Sequence, residues 1–196
     1  AVETTQERMK NLIPPHVFAD EMEKHWVDQL GNISSEALRL VWIQIAGTFG
    51  SHIGDFSPFE QWTILQPPTG SGKTQGTIVY CSMLSRFNRK DHPGVLIVTR
   101  RIDDANQIAE QINKLSGKTD EAVAYHSENK INLETLPSFP VLVICHRAYE
   151  QAMDAMTEEG LKIKHTWPHF YSWQNWGGRK LVVIDEALDI VEHSHA

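Results

Sequence analysis

Residues 66–74, with the sequence QPPTGSGKT, carry residue types that can bind a phosphate chain together with a divalent cation. Gly70 and Gly72 lack a Cβ, so the backbone can curl and direct N–H groups at a phosphate. The ammonium of Lys73 can reach the outer phosphates, and the Thr74 hydroxyl can bind Mg²⁺, which prefers hard oxygen ligands. The first position of the full pattern holds proline instead of glycine, but the Gly-Ser-Gly-Lys-Thr core is intact. The segment predicts a phosphate-binding loop, in preference to a glycine-rich turn whose lysine is merely solvated.

The sequence on either side of this segment has the order that a phosphate loop needs. A short apolar run at 62–65 precedes it, and a helical pattern at 75–87 follows it. Strand, tight turn and helix in this order aim the positive end of the helix dipole at the phosphate.

A second group of chemically capable residues follows another apolar run. Residues 181–184 read Leu-Val-Val-Ile, and Asp185 and Glu186 come directly after them. Strand ends in parallel sheets face the ligand crevice, so Asp185 can hold Mg²⁺, directly or through water. Glu186 can orient and deprotonate an attacking water. Alone, such an acidic pair is equally a surface feature of a strand end; after a phosphate loop it predicts the second half of a nucleotide site.

Strand and helix patterns alternate from residue 62 onward. Apolar runs at 94–99, 140–145 and 181–184, with a weaker one at 121–126, are separated by helical patterns at 103–116 and 147–157. Asp103 and Asp104 are predicted to cap the first of these helices, whose apolar face includes Leu115. The alternation predicts an α/β fold, an open parallel sheet with helices on both faces.

Residues 1–60 precede this alternation and are predicted to form a helical extension of the domain at 61–196. An apolar stripe marks a first helical region, and a second helix is expected over 34–46. Residues 47–60 contain three glycines and a proline and predict a loop. The extension either packs on the nucleotide domain or binds a partner, and packing is the favoured reading. The stripe consists of Val17, Phe18, Met22, Trp26 and Leu30.

The composition excludes several classes of protein. The chain has 196 residues, 41% of them hydrophobic, and a net charge of -7, so a strongly basic nucleic-acid-coating protein is not expected. The two cysteines, Cys81 and Cys145, lie in apolar patterns and are predicted to be buried thiols in a reducing compartment. No apolar run approaches the roughly 18 residues of a membrane span, and the N-terminus lacks a signal-peptide core. These features predict a cytoplasmic protein without membrane association.

Over about residues 60–190 the chain resembles superfamily 2 helicases of the DEAD/DEAH-box type. Residues 68–74 resemble motif I, and residues 184–187, Ile-Asp-Glu-Ala, resemble motif II. Asp185 lies 112 residues after Lys73, a separation that fits the superfamily. Residues 97–101 are similar to motif Ia, and residues 143–146 to the segment near motif Ib.

The resemblance implies a RecA-like domain that binds and hydrolyses ATP with Mg²⁺ as the first motor domain of a helicase or translocase. It implies metal binding by Thr74 and Asp185 and catalysis by Lys73 and Glu186. It also implies a nucleic-acid track, DNA or RNA, and a second RecA-like domain in the same polypeptide. The nucleotide-binding residues it implies are Thr69, Gly70, Ser71, Gly72, Lys73 and Thr74; the nucleic-acid contacts are Thr99, Arg100, Arg101 and His146. The alternatives are a RecA-like ATPase that moves protein or packages DNA, and a nucleotide-dependent interaction module.

Three departures from the family pattern qualify these expectations. Leu188 stands where the family has Asp or His, which affects the coupling of hydrolysis to strand separation. Gln61 lies only 12 residues before Lys73, a short spacing for the glutamine that reads adenine. The chain ends at Ala196, before motif III, so a fragment of a longer polypeptide is expected, one that does not unwind duplexes alone.

The aromatic segment 165–176 contains three of the six tryptophans. Exposed rings there could stack on bases or anchor a protein partner, whereas buried rings would fill the core. The segment lies within a predicted long loop at 158–180, and a role in the core is the favoured reading.

Overall fold

The computed structural model describes residues 2–10, 12–54, 72–129, 131–157 and 166–185. Four parallel strands lie within them, and across the sheet they follow the order second, third, first and fourth in the chain. Because all neighbouring strands run parallel, their carboxyl ends meet at one edge of the sheet. The strands are β1 (Val95–Thr99), β2 (Ala122–Tyr125), β3 (Val141–Cys145) and β4 (Leu181–Ile184). The strand predicted over 62–65 lies outside the described residues.

The strands consist almost entirely of apolar residues because they are buried. Every residue of β1 and β3 is buried, as expected for parallel strands that are covered on both faces. Val95 and Ile97 belong to one hydrophobic cluster, while Leu96 and Val98 belong to a second. The predicted α/β architecture, a parallel sheet with helices on both faces, is confirmed.

Two groups of helices cover the sheet. The first face is covered by α4 (Lys73–Leu84) and α5 (Ile102–Ser116), whose buried residues share the cluster of Val95 and Ile97. The second face is covered by a 3₁₀ helix (Leu133–Ser138), α6 (His146–Thr157) and α7 (Trp167–Tyr171). α4 is buried almost throughout, which is why its sequence lacks a polar stripe.

The N-terminal helices join the core through α4: the second and third α-helices pack against it, and the first packs on the third. They are α1 (Thr5–Lys10), α2 (Pro15–Lys24), a π-helix (His25–Gln29) and α3 (Glu36–Gly54). Tyr80 of α4 lies edge-to-face between Phe18 of α2 and Phe49 of α3, at ring-centroid distances of 5.7 and 5.0 Å. One continuous core therefore joins the extension to the sheet, as the packing alternative predicts, although Val17 and Leu30 of the predicted stripe are partly exposed.

The loop predicted over 47–60 is wrong for residues 47–54, because α3 continues through Gly47 and Gly50 to Gly54. The remainder, 55–60, lies outside the described residues. A Cβ added at Gly50 would lie 2.7 Å from the carbonyl oxygen of Lys10. Gly50 thus allows α1 and α3 to approach closely and does not mark a turn.

Two other local predictions need correction. Asp103 and Asp104 do not cap α5; Arg101 is the N-cap, without a side-chain hydrogen bond, and the two aspartates lie in the first turn, where the helix dipole favours them. Leu115 is partly exposed and not part of the buried face.

The predicted loop at 158–180 contains α7 in its described part. Trp173 is buried, with its indole N–H donating to the carbonyl of His92 at 2.8 Å, whereas Trp176 is 46% exposed. The role in the core predicted for this segment therefore holds for Trp173.

Cys81 and Cys145 are free and buried, as predicted. Among the described helices, none is long and apolar enough to cross a membrane.

Candidate nucleotide-binding site

The site is built on the first turn of α4. Gly72, the N-cap, has a φ of 76°, in the left-handed region that glycine adopts without a Cβ penalty. Its carbonyl accepts the N–H of Gly76 at 2.6 Å, and the Lys73 carbonyl accepts the Thr77 hydroxyl at 3.0 Å. The helix therefore starts immediately after Gly72, and its positive end lies at Lys73 and Thr74.

Lys73 and Thr74 both contact the carboxyl end of β4. The Lys73 ammonium donates to the carbonyl oxygen of Ile184 at 3.1 Å, and Lys73 is only 6% exposed. The Thr74 hydroxyl donates to Oδ2 of Asp185 at 2.6 Å. The Asp185 N–H donates to the Val98 carbonyl at 2.8 Å, which continues the β1–β4 ladder by one residue and positions the carboxylate at the edge of the sheet.

These residues fit a phosphate chain bound with Mg²⁺. The Thr74 hydroxyl and the Asp185 carboxylate are the hard oxygen ligands that Mg²⁺ uses, and they are adjacent in space. The buried ammonium of Lys73 and the N–H groups at the start of α4 supply positive charge at the same place.

A pocket of about 200 Å³ lies beside this pair. Thr74 and Asp185 line it together with α5 residues such as Gln107 and Gln111. Thr99 and Arg100, at the carboxyl end of β1, also line it. The same pocket thus joins the motif I and II residues to residues from the predicted nucleic-acid contacts.

All four predicted nucleic-acid residues lie at the carboxyl ends of β1 and β3. Thr99 is 1% exposed, and its hydroxyl donates to the carbonyl of Arg101 at 3.2 Å, while Arg101 itself is exposed. His146 begins α6 directly after Cys145. Burial raises the pKa of the Cys145 thiol, and the charge of Asp104 raises it further, so the thiol stays protonated at neutral pH.

The structure brings Gly72, Lys73, Thr74 and Asp185 together across 111 residues of sequence. Thr69, Gly70, Ser71, Gln61, Glu186 and Leu188 lie outside the described residues. The sequence does not single out Trp26 or Gln75, although Trp26 lies against Gly72 and Gln75 follows Thr74 in the first turn of α4. Trp26 was identified only as part of an apolar stripe, and Gln75 follows Thr74 without a recognisable motif of its own.

The parallel sheet, with α4 starting at its carboxyl edge beside β4, is the architecture of a RecA-like α/β domain. The family model of DEAD/DEAH box helicases matches residues 58–195, more than two thirds of the chain, and the chain belongs to this family. The predicted family resemblance is confirmed. A search of curated proteins found no match.

Proposed function

We propose that this chain binds and hydrolyses ATP with Mg²⁺ as the first motor domain of a superfamily 2 helicase or translocase. The observation that carries the proposal is the pair of hydrogen bonds between the start of α4 and the end of β4. Lys73 and Thr74 supply the motif I side, and Ile184 and Asp185 supply the motif II side. The family match at residues 58–195 supports the same reading.

In this proposal, Lys73 moves from the Ile184 carbonyl to the outer phosphates, where its charge is better compensated than by a neutral oxygen. Thr74 and Asp185 hold Mg²⁺, which neutralises developing phosphate charge when bound. Glu186, the next residue in the sequence, orients the attacking water and accepts its proton. The first-turn N–H groups of α4 stabilise the phosphate oxygens without needing to reorganise.

A nucleic-acid track is proposed along the carboxyl edge of the sheet, at Thr99, Arg100, Arg101 and His146. The pocket shared by Thr74, Asp185, Thr99 and Arg100 supports this placement, because it connects the proposed phosphate site to the β1 end. A phosphate backbone would be held there by backbone N–H groups and by the exposed guanidinium of Arg101. A second RecA-like domain would complete the motor.

The experiment is titration of the chain with Mg-ADP and a non-hydrolysable ATP analogue, with and without EDTA. Lys73→Ala is expected to abolish binding. Thr74→Val should weaken Mg-dependent binding by about 10- to 150-fold, since it removes a hydroxyl whose interaction with a charged group is worth about 1.5–3 kcal/mol. Thr48→Val is the matched control: it removes a hydroxyl bonded to a helix carbonyl in α3, away from the site, and should bind like the wild type.

ATP turnover by a polypeptide that carries this chain together with the proposed second RecA-like domain tests the hydrolytic part, with and without single-stranded DNA or RNA. Glu186→Gln should bind nucleotide normally and hydrolyse none. Normal hydrolysis by Glu186→Gln would overturn its role as base. Equal nucleotide binding by Lys73→Ala, Thr74→Val and Thr48→Val would overturn the site itself.

A further inference from the structure

The π-helix His25–Gln29 lies directly beside the start of α4. It continues α2 without a break, and its wider turn is marked by the Leu30 N–H donating to the carbonyl of His25 at 3.1 Å. The hydrogen-bonded turn of a π-helix spans one more residue than that of an α-helix, so the side chains that follow point in a different direction. Here two consecutive side chains, His25 and Trp26, both contact the first turn of α4 or its N-cap.

Trp26 covers one face of Gly72. A Cβ added at Gly72 would lie 2.7 Å from Cζ3 and 3.2 Å from Cε3 of Trp26, and 3.1 Å from the terminal methyl of Met22. The indole ring and this methyl therefore pack against the residue that immediately precedes Lys73. They limit how far Gly72 can move toward the N-terminal helices.

The Trp26 ring is itself held in place. Its indole N–H donates to the carbonyl of Ile33 at 3.1 Å. Its ring packs edge-to-face on Trp42 of α3, with centroids 5.9 Å apart, and Trp42 is fully buried. Gly72 therefore rests against a ring with a fixed orientation.

A second contact holds the same turn. Nε2 of His25 is hydrogen-bonded to Oε1 of Gln75 at 3.0 Å, and Nε2 of Gln75 donates to Oε1 of Gln111 at 3.2 Å. This chain links the π-helix, α4 and α5 through the residue that follows Thr74. The residues on both sides of Lys73 and Thr74 are thus held by the π-helix.

We propose that Trp26 is a positioning residue for the phosphate loop, so that binding of a nucleoside di- or triphosphate is coupled to the N-terminal helices. The inference rests on the proposed nucleotide site. Lys73 and Thr74 can meet phosphate and Mg²⁺ only if Gly72 keeps its left-handed turn at the sheet edge, and Trp26 restricts that turn from the side of the N-terminal helices. Removing the ring leaves Gly72 free to move, and the bound phosphates lose the pre-organised N–H groups.

The test compares Mg-ADP affinity in four proteins: wild type, Trp26→Ala, Trp26→Phe and Leu38→Ala. Leu38 is the matched control, because it is partly buried against the same core as Trp26 but belongs to α3. Trp26→Ala should weaken Mg-ADP binding about tenfold, because the loss of pre-organisation at Gly72 must be made up on binding. Trp26→Phe should stay within about threefold of the wild type, because a ring still covers Gly72. Leu38→Ala should lose thermal stability with unchanged affinity.

Tryptophan fluorescence supplies a readout that packing alone would not move. Mg-ADP should change the emission of the wild type, and the change should be absent in Trp26→Phe, which keeps the other five tryptophans. This measurement decides the matter even if Trp26→Ala does not fold.

Equal affinities for Trp26→Ala and Leu38→Ala would overturn the proposal, as would an unchanged fluorescence response in Trp26→Phe. If the wild type binds no Mg-ADP at all, the nucleotide site itself is wrong and this proposal falls with it. Normal binding by the wild type and by both Trp26 variants would reject the positioning role alone.

Discussion

Replacing two glycines of α3 by alanine tests how the N-terminal helices pack. Gly47 and Gly50 lie three residues apart in the same helix. Within the described part of the chain, a Cβ at Gly47 would have no atom within 4 Å apart from its own stretch of helix, whereas a Cβ at Gly50 would lie 2.7 Å from the carbonyl oxygen of Lys10. The two substitutions therefore share their local chemistry and differ in what the new methyl group contacts.

The expected magnitudes follow from these two environments. Alanine is better than glycine in a helix interior by up to about 1 kcal/mol, so Gly47→Ala should stabilise the protein by roughly that amount. Gly50→Ala has the same intrinsic gain, but a carbonyl oxygen cannot rotate away as a flexible side chain can. Forcing α1 and α3 apart costs about 1–3 kcal/mol. Gly50→Ala should thus be less stable than Gly47→Ala by about 1–3 kcal/mol.

Thermal and urea denaturation of the wild type and both variants measures the difference. For a chain of this size each kcal/mol shifts the melting temperature by about 2–4 °C. Equal stabilisation by both substitutions would refute the close approach of α1 and α3 at Gly50. Equal destabilisation would instead show that the helix does not extend across both positions.

Two further predictions concern the amino ends of the strands. Arg179 is buried and donates to five backbone carbonyls. Because lysine has only three donors, Arg179→Lys should lower the free energy of unfolding, measured in urea, by about 3 kcal/mol. The exposed Arg89 donates to the Ser138 carbonyl, and Arg89→Lys should change the free energy of unfolding very little; similar losses in both variants would contradict this. Burial lowers the pKa of His92, although Glu121 opposes the shift, and Nδ1 of His92 accepts the Gly94 N–H at 2.9 Å. Because the unfolded chain takes up this proton at a higher pH than the folded chain, stability should fall as pH drops below about 6.5, by up to about 1.4 kcal/mol per pH unit. His92→Asn keeps an acceptor for Gly94 and should show a shallower decline; an identical decline would show that His92 does not contribute.

Much of the sheet could be predicted from sequence because parallel strands are buried on both faces. The apolar runs at 94–99, 140–145 and 181–184 match β1, β3 and β4 to within one residue. The meeting of the Lys73 and Asp185 regions could be predicted for a similar reason, since each residue lies next to a strand or helix end that local patterns identify. The family motifs strengthened both predictions.

The N-terminal region was harder to predict, because its local patterns depend on distant partners. The π-helix has no sequence signal that separates it from the end of α2, and the glycines of α3 resemble those of a loop. Trp26 and Phe18 belong to one apolar stripe, yet Phe18 packs on Tyr80 while Trp26 covers Gly72. A stripe indicates which side of a helix is buried, although Val17 and Leu30 of this one are exposed, and it does not identify the surface that its buried members cover.

Gly72 and Gly50 show the same limit of sequence-based prediction, although Gly72 has a positive φ and Gly50 lies within a helix. Gly72 needs a positive φ and also lacks room for a Cβ, because the Trp26 ring lies against it. Gly50 has ordinary helical geometry and lacks room only because of the Lys10 carbonyl. The motif around Gly72 predicts its turn but not the ring that covers it, since that ring comes from 46 residues earlier in the chain. The predicted phosphate loop therefore has, at Gly72, a supporting surface that its nine-residue motif does not contain. For this reason Trp26→Ala, which removes the ring, should weaken nucleotide binding although it leaves every motif residue unchanged.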